Sequence, residues 1–189
     1  LLIECSKKNN VKILPVDSEH NSIFQCFDNN HRENISHITL TASGGPFLNR
    51  SLNSFKEITI KEALKHPKWE MGKKISIDSA TLINKALEVI EAGFLFELKS
   101  SQINVVIHPE SLIHVLVHYK DGSVLANLAL PDMISPLSVA IGYPERYNLN
   151  LPKLNLLEIS QLNFLKPDLK KFPGLNFGWY ALNGPNNIS

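Results

Sequence analysis

The sequence predicts a mixed domain, α/β to α+β. Three observations carry that expectation: a strand–turn–helix pattern over residues 11–27, a long amphipathic helix from Leu82 to about Glu97, and two strands joined at Asp121-Gly122. Short β-branched or alternating apolar runs indicate strands, and apolar recurrence at i, i+3 and i+4 indicates helix.

In chain order, Val11 to Val16 reads as a short strand, Asp17 to Asn21 as its turn, and Ile23, Phe24, Cys26 and Phe27 as a short helix. His37 to Ala42 is a second strand, and Ser43-Gly44-Gly45-Pro46 turns the chain because Gly and Pro force it. Ile60 to Lys65 reads as a short helix. His66 to Gly72 is a loop punctuated by Pro67 and Gly72, and Lys74 to Ile77 reads as a brief extended stretch.

For the long helix, Ser79 or Thr81 is placed to cap the first turn. Leu82, Ala86, Val89, Ile90 and Phe94 then face a core, with Asn84, Lys85, Glu88 and Glu91 on another stripe. Ser111 to Tyr119 and Val124 to Leu130 are the paired strands, since Asp-Gly is a favoured centre for a tight hairpin. Residues 1–146 read as one domain. Residues 147–189, richer in Pro and Asn, read as a linker with short pieces of structure.

The chain is 43% hydrophobic and 20% charged with a formal net charge of +1, so nothing in its charge points to a nucleic-acid or polyanion partner. No apolar run is long enough to span a membrane. Cys5 and Cys26 make neither a CxxC pair nor a zinc spacing; a reducing compartment fits, and a single disulfide stays open. The start at Leu1 reads as a cut inside a longer protein.

Asp17 and Glu19 follow the first strand two residues apart, a spacing that puts both carboxylates on one face of an extended segment. Hard oxygen ligands of this kind suit Mg²⁺ or Mn²⁺. Alone, the pair reads equally as a solvated turn, and a third carboxylate changes that balance. Glu88 is a candidate, on one helix face with Asn84 and Lys85; a surface salt bridge between Lys85 and Glu88, about 0.3–0.5 kcal/mol, explains the same spacing. Ser43 before two glycines can donate to a phosphate or hydroxyl oxygen, but the string contains no Walker loop and also reads as a plain turn. Trp69 and Met71, after His66, put large apolar groups on a loop that either closes over a ligand or is pinned to the core. His114 and His118 share a strand face roughly 13 Å apart, too far for one ion, and read as polar positions on a sheet.

Taken together and in order, Pro15 to Asn21, Ser43 to Phe47, His66 to Gly72, Lys74 to Leu82, Asn84-Lys85, Leu87-Glu88, Ile107 to Ser111, Asp121 to Ser123 and Pro131 to Met133 resemble the 1-deoxy-D-xylulose 5-phosphate reductoisomerase family. The resemblance is close over residues 11–146 and looser in the tail. It implies helices packed on one face of a largely antiparallel sheet, similar to the catalytic domain of glyceraldehyde-3-phosphate dehydrogenase. It also implies a homodimer, with the Asp121-Gly122 hairpin as candidate for the dimer sheet.

The same resemblance implies an NADPH-dependent isomeroreductase that converts 1-deoxy-D-xylulose 5-phosphate to 2-C-methyl-D-erythritol 4-phosphate in non-mevalonate isoprenoid biosynthesis, with Mg²⁺, Mn²⁺ or Co²⁺ as metal. Asp17, Glu19 and Glu88 match the metal ligands, Glu19 and Glu88 having the catalytic role. Ser18, Glu19, Ser43, His66, Ser79, Asn84, Lys85 and Glu88 match the sugar-phosphate contacts, with Ser43, Ser79, Asn84 and Lys85 at the phosphate end. His66, Trp69 and Met71 match a mobile lid, and Gly72 lies near the nucleotide. The family's glycine-rich nucleotide loop does not occur in this stretch, so the expectation is a catalytic fragment, inactive alone, followed by a helical domain. The implied location is the cytoplasm of a bacterium, or a plastid-type organelle in a eukaryote. Rival readings are a non-catalytic sugar-phosphate-binding relative and a nucleotide-independent, metal-dependent sugar-phosphate isomerase.

Overall fold

The computed structural model describes residues 1–184. Its elements are α1 (Leu2–Lys8), α2 (Ser18–Cys26), β1 (Ile35–Ala42), α3 (Ile60–Ala63), α4 (Lys73–Ala80), α5 (Ile83–Leu95), β2 (Ile103–Ile107), β3 (Ile113–Tyr119), β4 (Val124–Leu128), α6 (Ile134–Gly142), α7 (Leu156–Ile159) and α8 (Asn176–Asn183). The strands form one mixed sheet in the order β2-β1-β3-β4. β1 runs parallel to β2, and the other two pairings are antiparallel. A parallel neighbour requires a crossover, and α4 and α5 supply it.

One face of the sheet makes the core. Ile38 and Leu40 of β1 pair with Val117 and Val115 of β3, and all four are fully buried. Ile103 and Ile107 continue the face on β2. α2 and α5 lie side by side on it, contributing Ile23 and Phe27 from one and Ala86 and Val89 from the other. Phe27 meets Phe96, at the end of α5, with ring centroids 5.5 Å apart. The mixed α/β class and the helix-on-sheet packing match the expectation. So does the hairpin: Gly122 has φ 91°, and the Tyr119 amide donates to the Ser123 carbonyl at 2.9 Å.

Several local expectations are corrected. Val11–Val16 forms no strand; it is irregular chain leading into α2. The reason is Asp17, whose carboxylate accepts the amides of Glu19 and His20 at 3.0 and 3.3 Å and starts the helix at Ser18. Asp17 and Glu19 are therefore an N-cap and the second helical residue, not neighbours on an extended face. Lys74 to Ile77 is helical, inside α4; its β-branched residues suggest a strand, but Ser76 bonds back to the Gly72 carbonyl at 2.9 Å. α5 has no side-chain cap: Leu82 takes the left-handed conformation at φ 59°, Ser79 belongs to α4, and Thr81 Oγ1 turns back to the Ile77 carbonyl. Phe94 is exposed rather than in the core. The hairpin strands are shorter than expected, because Ser111 breaks the first at φ 55° and the second ends at Leu128.

The tail expected to be a linker carries α7 and an isolated antiparallel bridge from Leu165 to Ile107 of β2, then packs on α5. Phe172 and Leu175 are buried. Gly178 lets α8 approach so closely that a Cβ there would meet the Ala86 carbonyl oxygen at 2.8 Å. Trp179 Nε1 donates to the Ile103 carbonyl at 2.8 Å. Residues 185–189 of that expected linker lie outside the described residues. Both cysteines are free, and among the described residues no helix is long and apolar enough to cross a membrane.

Candidate active site

A cavity of about 260 Å³ opens where β1 ends, walled by the start of α2, the Ser43-Gly44-Gly45 turn, the 66–71 loop and the start of α5. Its lining includes Asp17, Ser18, Glu19, Ser43, His66, Trp69, Met71, Ser79, Asn84 and Lys85. Of the residues expected to act, Glu88 sits just behind this wall, bonded to Asn84 and Lys85, and Gly72 lies outside the lining as the N-cap of α4. The turn after β1 depends on glycine. Gly44 and Gly45 have φ 85° and 65°, and a Cβ on Gly45 would lie 2.9 Å from the Ser79 carbonyl oxygen. That close approach brings Ser43 and Ser79 to one wall.

The acidic cluster is built by two helices. Asp17 and Glu19 come from the first turn of α2, and Glu88 from the second turn of α5. One carboxylate oxygen from each lies within 4.8 Å of the others. An ion held at 2.0–2.6 Å from each ligand spans such a triangle, so the donor set fits Mg²⁺ or Mn²⁺ by both hardness and spacing. Lys85 Nζ stands 2.8 Å from Glu19 Oε1 and 2.6 Å from Glu88 Oε2. Asn84 Nδ2 donates to Glu88 Oε1 at 2.6 Å, and Ser18 Oγ donates to Glu19 Oε2. The Lys85–Glu88 pair does form, but it is buried, with side chains 5% and 3% exposed, so the surface salt bridge considered from spacing is excluded.

Electrostatics separate the three carboxyls. Withdrawal from water, reinforced by the Glu19 charge, pushes Asp17 up to about 6. Burial also acts to raise Glu19, but Lys85 and the other donors outweigh it and hold Glu19 down at about 2. Burial, with Glu19 next to it, raises Glu88 well above the ordinary glutamate value. For Lys85, burial opposes the charge, yet Glu19 and Glu88 together keep the ammonium more firmly protonated than a free lysine.

The 66–72 loop reaches back to the β1 turn. His66 Nδ1 accepts the amides of Lys68 and Trp69 at 3.1 and 2.9 Å. The ring's proton therefore sits on Nε2, which donates to Ser43 Oγ at 2.8 Å. Burial lowers the His66 pKa and favours this neutral form. The Trp69 ring stands 6.3 Å from the His114 ring across the cavity.

The lining also holds residues that were not anticipated, among them the polar Thr41, Glu70, Ser111 and His114, and Met133. His114 is buried, and burial depresses its pKa. His118 lies apart from the cavity lining: it stacks on His37 at 4.1 Å and meets Thr39 Oγ1 at 3.0 Å. A signal for Ser111 and His114 was available. β2 runs parallel to β1, so its end at Ile107, and the turn into β3, open at the same edge as Ser43. That strand went unread, and its neighbours were missed with it.

The fold and the cavity define a class, an α/β domain with an acidic, oxygen-rich pocket of the kind that holds hard divalent cations. Residues 13–96 match the family described as the 1-deoxy-D-xylulose 5-phosphate reductoisomerase C-terminal domain, and residues 128–188 match the DXP reductoisomerase C-terminal domain. The 1-deoxy-D-xylulose 5-phosphate reductoisomerase of Clostridium tetani is 56% identical over 174 residues, covering 92% of this chain and 45% of the relative. That of Ehrlichia ruminantium is 48% identical, covering 98% and 48%. A crystal structure of DOX-P reductoisomerase with NADPH, fosmidomycin and magnesium superposes with a TM-score of 0.92 at 48% identity, over 96% of this chain and 47% of that one. The enzyme of Zymomonas mobilis with NADPH gives 0.90 at 39% identity, over 98% and 48%. The chain belongs to the 1-deoxy-D-xylulose 5-phosphate reductoisomerase family. It spans about half the length of the relatives it matches.

Proposed function

We propose that this chain contributes the metal- and sugar-phosphate-binding part of an NADPH-dependent isomeroreductase that converts 1-deoxy-D-xylulose 5-phosphate to 2-C-methyl-D-erythritol 4-phosphate. The observation that carries the reading is the meeting of three carboxylates, Glu88 just behind the wall, with an ammonium and several hydroxyl and amide donors at one cavity. Residues 1–146 are its catalytic part. Magnesium and NADPH accompany solved members of the family, which supports the same cofactors here.

In this reading Asp17, Glu19 and Glu88 hold Mg²⁺ or Mn²⁺, which when bound supplies Lewis acidity to the substrate's carbonyl and hydroxyl oxygens. Ser43, Ser79, Asn84 and Lys85 take the phosphate, whose remote binding orients the reacting carbons. Ser18 and His66 complete the substrate contacts. His66, Trp69 and Met71 close over the carbon chain and exclude water. Gly72, where an added Cβ meets nothing within 4 Å, borders the nucleotide. Glu19 and Glu88 are assigned the catalytic role, as two of the three carboxylates that would hold the ion beside the substrate. A homodimer completes the proposal. β4, at the sheet edge with Val124 and Leu125 exposed, supports the hairpin as the shared surface.

The test is an NADPH oxidation assay on the intact protein with 1-deoxy-D-xylulose 5-phosphate and Mn²⁺. Substrate-dependent oxidation that EDTA abolishes and Glu88→Gln removes is the expected result. Oxidation undiminished by EDTA or by Glu88→Gln rejects the assigned metal site, and no oxidation with either Mg²⁺ or Mn²⁺ rejects the reaction.

A further inference from the structure

We propose that Lys85 is a resident counter-cation of the acidic cluster, which a divalent ion displaces from Glu19 and Glu88, so that anion binding beside Lys85 and metal binding at the carboxylates strengthen each other. The proposal rests on the metal reading above. Spacing anticipated a Lys85–Glu88 pair on the surface, but neither its burial nor the contact with Glu19. Lys85 was expected at the phosphate end, yet its Nζ bridges two candidate metal ligands at 2.8 and 2.6 Å.

Every carboxylate oxygen of the pair already accepts a hydrogen bond. Glu19 Oε1 accepts from Lys85 and Oε2 from Ser18; Glu88 Oε1 accepts from Asn84 and Oε2 from Lys85. A dication that takes one oxygen from each carboxylate meets the ammonium on the same short edge. Two cations that close, in a site with little water, repel strongly. The ammonium must therefore leave that edge as the ion enters. Lysine suits such a move, being a compact charge on a flexible stem. A buried ammonium also needs a new partner. The cavity provides a place for one: Lys85, Asn84, Ser79 and Ser43 share its lining, and an anion held by their donors faces Nζ.

Thermodynamic reciprocity then follows. An anion that draws Lys85 away removes the metal's competitor, and the metal, by releasing Lys85, raises affinity for the anion. This coupling is separate from any chelation of the ion by substrate oxygens, because a simple anion at the far end of the cavity does not chelate.

The test is Mn²⁺ binding to the full chain, read by electron paramagnetic resonance of free Mn²⁺, in sodium sulfate and in sodium chloride of equal ionic strength. Sulfate serves as the anion because it complexes Mn²⁺ weakly. The parent is expected to bind Mn²⁺ at least about fivefold more tightly in sulfate, the lower end of typical coupling between sites. Lys85→Gln is expected to bind Mn²⁺ more tightly than the parent in chloride and to lose most of the sulfate effect. The parent comparison needs no substitution, so it stands even where a variant does not fold. Equal Mn²⁺ affinity of the parent in the two salts overturns the proposal, as does weaker Mn²⁺ binding by folded Lys85→Gln in chloride. Absence of Mn²⁺ binding to the parent in both salts overturns the metal reading itself, and this proposal with it.

Discussion

The imidazole of His20 ties together the two helices that carry the acidic cluster: its Nε2 donates to the backbone carbonyl of Glu88 across a distance of 3.0 Å. The ring is buried, and its Nδ1 faces Glu91 Oε2 at 3.3 Å and Asp17 Oδ1 at 3.4 Å. His20 is not itself part of the cavity lining, though it contacts Asp17, which is; it fixes how the first turn of α2 sits against the middle of α5.

His20→Ala should therefore weaken Mn²⁺ binding by roughly tenfold, the lower range for loss of a group that orients metal ligands. It should also cost about 1–3 kcal/mol of stability, because a buried hydrogen bond and the packing of the buried ring are lost together. Isothermal titration with Mn²⁺ and urea denaturation measure the two effects. Unchanged Mn²⁺ affinity in a folded His20→Ala protein would show that α2 and α5 hold their register without it.

How far the site could be read from sequence depended on which elements were read. The long helix, the central strand and the hairpin were legible because periodicity and an Asp-Gly pair mark them plainly. Asp17 and Glu19, which the fold brings together with Glu88, were singled out for a geometric reason that fails: Asp17 caps a helix, and a capping aspartate looks in sequence like the end of a strand. Burial of Lys85 and Glu88 was invisible, since charged residues at i and i+3 usually mark a solvated face. Only the packing of α2 against α5 turns that face inward. Ser111 and His114 were lost with β2, although Ile103–Ile107 is of strand length, rich in β-branched residues and followed by Pro109.

The two members of the buried pair should differ in their effect on stability. Lys85→Ala strands Glu19 and Glu88 together without a cation, and breaking a buried pair costs about 3–5 kcal/mol. Glu88→Gln removes a charge that burial and Glu19 already disfavour, and leaves Lys85 bonded to Glu19. It should be clearly the milder substitution. Urea denaturation at neutral pH without added metal tests this, and equal or reversed costs would contradict the buried geometry.

His66 gives a pH signature of the loop. Burial lowers its folded pKa below the ordinary value of 6.5, so the unfolded chain takes up the proton more readily than the folded one. The contribution of His66 to stability is therefore fully present above pH 6.5 and is lost as pH falls from there through the folded pKa. Proton NMR of the imidazole, assigned by its absence from His66→Gln, should give a midpoint below 6.5. A midpoint at or above 6.5 would mean that the ring is not withdrawn from water as the bond to Ser43 requires.

The sharpest steric test lies at Gly45. Its φ of 65° is a conformation in which side chains other than glycine are strained, at a cost of about 1–3 kcal/mol. A methyl group there faces a second obstacle, since its carbon would lie 2.9 Å from the Ser79 carbonyl oxygen and 3.1 Å from the Ala80 Cα. Both contacts are backbone atoms of α4, so no rotamer change relieves them. Gly45→Ala must either push α4 away from the β1 turn or tilt the turn itself. Either movement separates Ser43 from Ser79, which stand on opposite sides of that contact and are proposed to hold one phosphate. The substitution should lower stability by more than about 2 kcal/mol and should weaken sulfate binding in the protein that remains folded. Mn²⁺ affinity in chloride should change much less, because Asp17, Glu19 and Glu88 reside on α2 and α5 rather than on the turn. Gly72→Ala is the control: it too replaces a glycine beside the cavity, but its added Cβ meets nothing within 4 Å and its φ is negative. Urea denaturation with sulfate and Mn²⁺ titrations of both variants decide the matter. A Gly45→Ala protein as stable as Gly72→Ala, with unaltered sulfate affinity, would show that the β1 turn and α4 are not in the contact described.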